Sequence, residues 1–165
     1  MRPALLLLIA SLFGGGLSAQ VHWMTWEEAM EAHAAEPRKI FVDVYTEWCG
    51  WCKRMDKTTF SDPEVSRLLN RDFYSVKLDA EQRGDLEFAG ETYAFRPGGK
   101  RGVHELAIKL LGGRLGYPSV VFLDEDADVI EAIPGYQQPE AFEKIVSYFG
   151  TDAYRTTPWV EYEGE

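Results

Sequence analysis

Ile40-Phe41-Val42-Asp43-Val44-Tyr45-Thr46-Glu47-Trp48-Cys49-Gly50-Trp51-Cys52-Lys53 is the stretch on which the rest of the chain turns. Its first part, from Lys39 to Tyr45, is nearly continuous apolar and β-branched, the pattern of a strand buried on both faces of a parallel sheet. Asp43 is the one charge in its middle. The run ends in a Cys-x-x-Cys pair that contains both cysteines of the chain. At a strand-to-helix junction the first sulfur lands on the helix N-terminus, where unpaired backbone N–H groups and the dipole favour a thiolate. Cys49 is therefore expected to be the attacking nucleophile. Cys52, one turn further on, is expected to resolve the mixed disulfide that Cys49 forms with a partner. Two other readings compete. The pair could be half of a zinc or copper site, but a closed zinc site needs four ligands, and the remaining candidates, His22, His33 and His104, are not paired at ligand spacing. A purely structural staple closing so short a loop would remove little chain entropy.

Outward from this stretch the pattern alternates. Thr25-Trp26-Glu27-Glu28 has capping-box spacing, and Trp26, Ala29, Met30 and His33 follow at helical intervals until Pro37. After the pair, a helix is expected from about Gly50 to Thr58. Asp62-Pro63 provides a cap and a first-turn proline for a further turn or two through Leu69. Phe73 to Leu78, Ser119 to Leu123 and Val129 to Ile133 read as strands. A last helix starts after Pro139, with Phe142, Ile145, Val146 and Phe149 on one face. Between them, Leu86-Glu87-Phe88 and Thr92-Tyr93-Ala94-Phe95 flank Ala89-Gly90-Glu91 as a hairpin. Residues 96–100 read as a loop, and Val103, Leu106, Ala107, Leu110 and Leu111 recur at helical spacing before Gly112-Gly113. The order predicts an α/β sandwich in which a parallel pair of strands is extended by an antiparallel hairpin.

The chain has 165 residues, room for one domain, and a formal net charge of -10. That acidity argues against nucleic acid and anionic membrane as partners. Residues 1–19 carry Arg2, an apolar run from Ala4 to Phe13, and the small-residue ending Leu17-Ser18-Ala19. They read as a secretory signal peptide, with cleavage expected near Ala19. The apolar run is too short to span a bilayer, so no membrane anchor is expected and the mature protein should be soluble and exported. Export would put the cysteine pair where disulfides form and persist. A domain over 20–150 and an acidic tail over 151–165, without periodicity but with Trp159 and Tyr162 able to dock, complete the expected organisation.

Residues 42–53 resemble the active-site stretch of thioredoxins. The continuation Met55-Asp56-Lys57-Thr58-Thr59-Phe60-Ser61-Asp62-Pro63-Glu64-Val65 resembles two exported branches of that superfamily. One is the C-terminal domain of the bacterial transmembrane thiol:disulfide interchange protein; the other is a set of exported thioredoxin-related proteins. The likeness covers roughly Trp23 to Phe149 and implies a thioredoxin fold, a central mixed sheet flanked by helices. The stretch from 81 to 115 departs from it as a hairpin and helix inserted before the loop Gly116-Tyr117-Pro118-Ser119. That loop matches one which carries a cis proline facing the disulfide in thioredoxins. A cis Tyr117–Pro118 bond would leave the Tyr117 backbone open to an extended substrate peptide, whereas a trans bond would make an ordinary turn.

Asp43 matches the buried acid beneath the second cysteine. A carboxylate there should be neutral or nearly so, and suited to exchange a proton with Cys52. Lys77 matches the lysine beside that acid. Trp48 and Trp51, with Gly50 between the cysteines, offer apolar area to a partner's chain. The resemblance implies protein thiols and disulfides as substrates, an upstream membrane or thioredoxin-like electron donor, and no cofactor beyond the Cys49–Cys52 disulfide. A reductant of protein disulfides is the first expectation. An oxidase or isomerase, or a redox-inert module presenting residues 81–101, are the others. Trp51 stands where thioredoxin has proline, so redox poise is left open within about -270 to -120 mV.

Overall fold

The computed structural model describes residues 20–164, so the signal-peptide reading of 1–19 lies outside the described residues. The elements run β1 (Trp23–Met24), α1 (Trp26–Ala35), β2 (Ile40–Tyr45), α2 (Gly50–Lys57), α3 (Pro63–Asp72) and β3 (Tyr74–Asp79). There follow β4 (Leu86–Phe88), β5 (Glu91–Tyr93), β6 (Phe95–Arg96), β7 (Val103–His104) and α4 (Glu105–Leu110). The last part comprises β8 (Ser119–Leu123), β9 (Val129–Pro134), α5 (Pro139–Gly150), a 3-10 turn (Ala153–Arg155) and α6 (Trp159–Tyr162). The main sheet has the order β1-β3-β2-β8-β9. β2 pairs parallel with β3 and antiparallel with β8, and β8 pairs antiparallel with β9. This is the α/β architecture with a parallel pair extended by an antiparallel hairpin.

Because side chains alternate along a strand, β2 divides the core. Ile40, Val42 and Val44 face a cluster with Trp26 and Ala29 of α1 and Leu106, Ala107 and Leu110 of α4. Phe41 faces the other cluster, with Met55 of α2, Val65 and Leu69 of α3, and Phe142 and Val146 of α5. Asp43 keeps the parity of Phe41 and so lies on the α2 side.

Local rules explain most elements. The Thr25–Glu28 capping box is present at α1, and Asp62 caps α3 by accepting from the Glu64 and Val65 N–H groups. α3 runs through Asp72, a turn beyond the expected end, because Asn70-Arg71-Asp72 continue its solvent side without breaking it. β1 went unread, since two residues are too few to show an alternation.

The segment from 81 to 115 departs furthest from its sequence reading. Val103, expected in a helix, instead pairs with Arg96 in a second hairpin, β6–β7. Gly102 closes its turn at φ 78°, with its N–H on the Gly98 carbonyl; a Cβ there would stand 2.3 Å from the Phe95 ring. His104, fully buried, then caps α4. Its Nδ1 accepts the Leu106 N–H at 3.2 Å, which leaves Nε2 to donate to the Gly84 carbonyl at 3.0 Å. The first hairpin is held to α1 by the Trp26 indole, which donates to the Glu87 carbonyl at 2.9 Å and meets Phe88 edge-on.

Residues 151–164 form a 3-10 turn and a short helix rather than an irregular tail, with the expected docking of Trp159 and Tyr162. Trp159 and Tyr162 pack on Tyr148 of α5, and the Tyr148 hydroxyl donates to the Thr157 carbonyl. Buried Lys39 binds Asp152 at 2.9 Å and Glu125 at 3.0 Å.

His104→Leu keeps an apolar volume but strands the Leu106 N–H and the Gly84 carbonyl. We expect it to lower the unfolding free energy by about 3 kcal/mol, measured by guanidinium unfolding. An unchanged midpoint would mean that water replaces both bonds.

Candidate active site

Cys49 and Cys52 form a disulfide with an S–S distance of 2.04 Å. Cys49 is the N-cap of α2. Its backbone N–H binds the Thr46 carbonyl at 3.1 Å, and its Sγ accepts the Cys52 N–H at 3.0 Å. The turn leaving β2 thus seats one sulfur on the positive end of the helix, and the 3.6-residue period brings the other to it. Both cysteines are nearly inaccessible, at 4% and 3% exposure, so their difference lies in helix position.

Two tryptophans stand out from this buried pair, Trp48 half exposed and Trp51 at 58%. Trp48 is fixed on three sides: its indole N–H donates to Glu81 at 2.8 Å, Tyr117 meets it edge-on, and Arg101 lies over its face. Trp51 leans on Tyr136 at 5.4 Å, with Arg54 over both rings. Gly50, between the cysteines, opens to solvent; a Cβ there would meet nothing within 4 Å. The Tyr117–Pro118 peptide is cis. Tyr117 reaches the site through its contact with Trp48.

Beneath α2, Asp43 is 1% exposed. Its Oδ2 meets Lys77 Nζ at 3.1 Å, while Oδ1 has no hydrogen-bond partner among the described residues. The β2–β3 register sets Asp43 opposite Lys77. The same Nζ binds Asp56 of α2 at 2.5 Å. Burial pushes the Asp43 carboxyl from 3.8 up to about 6; Lys77 opposes the shift and Asp56 adds to it. Burial alone would lower the Lys77 pKa, but the two carboxylates outweigh it and hold it above its usual value.

The expected residues Cys49, Cys52, Asp43, Trp48, Gly50, Trp51, Tyr117 and Pro118 therefore lie on β2, in the β2–α2 turn, on α2, and on the loop before β8. Sequence reasoning missed Asp56, Glu81 and Arg101 as neighbours. Asp56 had a faint signal, four residues after Cys52 on the same helix face. Glu81 and Arg101 had none. His22, His33 and His104 are dispersed, and no three His, Cys, Asp or Glu side chains gather to hold a metal ion among the described residues.

A family model, Thioredox_DsbH, described as protein of unknown function, DUF255, matches residues 15–148. Spermatogenesis-associated protein 20 of Homo sapiens is 40% identical over 74 residues, which is 44% of this chain and 9% of that protein. The thiol:disulfide interchange protein DsbD of Pectobacterium atrosepticum is 29% identical over 120 residues, 72% of this chain and 18% of that protein. The chain thus corresponds to under a fifth of either relative's length. Among solved structures, a thioredoxin from Thermus thermophilus superposes with a TM-score of 0.58 at 23% identity, over 81% of this chain and 93% of that one.

Because Asp43 has a folded pKa above its unfolded value, the native state binds its proton more tightly. Its stabilising contribution is complete below pH 3.8 and is lost as pH rises through about 6. The span between these values corresponds to about 3 kcal/mol. Asp43→Asn should therefore be more stable than the parent by up to that amount at pH 8, with the gain vanishing near pH 4. Denaturant unfolding of the oxidised proteins at both pH values checks this; an equal gain at both would mean that Asp43 does not titrate there.

Proposed function

Because the chain belongs to the Thioredox_DsbH (DUF255) family and has the thioredoxin fold, we propose that it is a thiol:disulfide oxidoreductase that reduces protein disulfides. The observation that carries this reading is the disulfide seated on the N-terminus of α2, with the Cys52 N–H aimed at Cys49 Sγ. In the reduced protein the same N–H and the helix dipole stabilise a thiolate on Cys49. That thiolate attacks one sulfur of a substrate disulfide, forming a mixed disulfide and releasing one substrate thiolate. Cys52 gives up its proton and attacks Cys49 Sγ, releasing the second substrate thiolate and closing Cys49–Cys52. Two electrons pass to the substrate, and an external dithiol donor restores the pair.

Asp43 is the group that takes the Cys52 proton, and a carboxyl with a pKa of about 6 suits that role at neutral pH. Pro118 and Tyr117 present the backbone along which the substrate lies, and Trp48, Gly50 and Trp51 form the apolar lip around the sulfurs. Similarity to DsbD, named a thiol:disulfide interchange protein, supports the exchange reaction and a donor of that kind. Residues 1–19 act as an export signal, and 20–150, with the 81–115 insertion, as the catalytic domain in the periplasm. Among the described residues no helix is long and apolar enough to cross a membrane.

Cys49→Ser should abolish insulin reduction, and Cys52→Ser should accumulate a mixed disulfide visible by mass spectrometry; full activity in Cys49→Ser would remove the assignment. Direction is read from the equilibrium potential in dithiothreitol buffers. A value near -270 mV is expected for a reductant, while one near -120 mV would make the protein an oxidase.

A further inference from the structure

Two grooves border the disulfide, and their charges differ. The one beside Trp48, about 440 Å³, is lined by Arg96, Lys100 and Arg101, but Glu81 approaches Arg101 and Glu105 is bound to Arg96. The one beside Trp51 is lined by Gly50, Trp51, Lys53, Arg54, Lys57 and Thr58, three cations and no acid. Lys53, Arg54 and Lys57 are exposed. None makes an ion pair among the described residues, and in this they are like Arg83, Lys100, Lys109, Arg114 and Lys144; what sets them apart is that all three line one groove beside the disulfide with no carboxylate on its wall. In a chain with 27 acidic and 17 basic residues, a groove lined by three cations and no acid runs against the overall charge.

Helix electrostatics account for part of this. Arg54 and Lys57 lie in the last turn of α2, where cations complement the dipole. That leaves Lys53, directly after Cys52, unexplained, and it does not explain why Arg54 is laid over the Trp51 and Tyr136 rings at the groove wall. An apolar floor with a cationic rim, beginning at the reactive pair, has the make-up of a recognition surface for an anionic chain segment.

We propose that the protein partners of this disulfide carry an acidic segment beside their reactive cysteine, and that this segment crosses Trp51 onto Lys53, Arg54 and Lys57. The proposal rests on the thiol:disulfide exchange reading and adds the substrate class. Because two of the three cations of the Trp48 groove are answered by Glu81 and Glu105, leaving only Lys100, the acidic residues belong on one side of the substrate cysteine only. Exposed charges of this kind act mainly on encounter, so the preference should be steep in salt.

The test uses three synthetic cystine peptides identical except for their flanks: Glu-Glu before the cysteine, Glu-Glu after it, or Gln-Gln on both sides. Second-order rate constants for oxidation of the dithiothreitol-reduced protein are followed by tryptophan fluorescence. One acidic isomer should react about tenfold faster than the neutral peptide at low ionic strength. That ratio should fall towards one at high salt and in Lys53→Gln/Arg54→Gln/Lys57→Gln. Ratios taken within one variant cancel any change in Cys49 reactivity. Should circular dichroism show that the triple variant does not fold, Lys53→Gln/Lys57→Gln takes its place. Equal rates for all three peptides, or a preference that survives the substitutions, would overturn the proposal while leaving exchange activity standing. Reduction of none of them by the parent protein would overturn both.

Discussion

Lys77 Nζ, held between Asp43 and Asp56, is the interaction on which the arrangement of the site depends. A carboxyl in the middle of the innermost strand is costly to bury. Its lysine partner arrives from the neighbouring strand through a register that pairs Asp43 with Lys77. A slip of one residue would put Val76 or Leu78 opposite the carboxyl and turn the lysine to the other face. Asp56 extends the link to α2, so the helix that carries the disulfide is located over β2 by charge as well as by Met55 in the apolar core. Buried ion pairs are weak sources of net stability. This one acts on placement, setting a buried carboxyl under α2.

How much of this was legible depended on the range of the interaction. The strand over 40–45, the cysteine pair and the caps at Thr25 and Asp62 were readable because period, cap and spacing are local. The central sheet followed from the order of such elements. Asp43 drew notice as a charge in an apolar run, and Lys77 only through resemblance. Asp56 escaped because its significance depends on a lysine brought to it by sheet register. Arg101 escaped because the hairpin that carries it to Trp48 has strands of two residues, below the length at which alternation shows, and Glu81 because it sits in the irregular turn after β3. His104 was weighed as a metal ligand and is a helix cap, a role decided by the Leu106 N–H and the Gly84 carbonyl around it.

The 81–115 segment does structural and topographic work together. Leu86, Phe88, Leu106 and Leu110 complete the core against α1, so the segment belongs to the domain and is no loose appendage. The same fold brings its outer edge to the rim of the site, where Glu81 takes the Trp48 indole. Packing on the inner face therefore sets the shape of one wall beside the disulfide.

The position of β2 has a kinetic consequence. Ile40 pairs with Tyr74 on one side but with Leu123 on the other, and Lys39 closes on Asp152. The central strand β2 thus receives its first neighbour early in the chain and its second only after the entire insertion has been made. In the interval it is an open β-edge of Ile, Phe and Val with backbone donors and acceptors unmet, the kind of surface on which chains associate. Closing so long a loop is slow relative to local helix formation, so assembly of the nascent chain is paced by the arrival of β8.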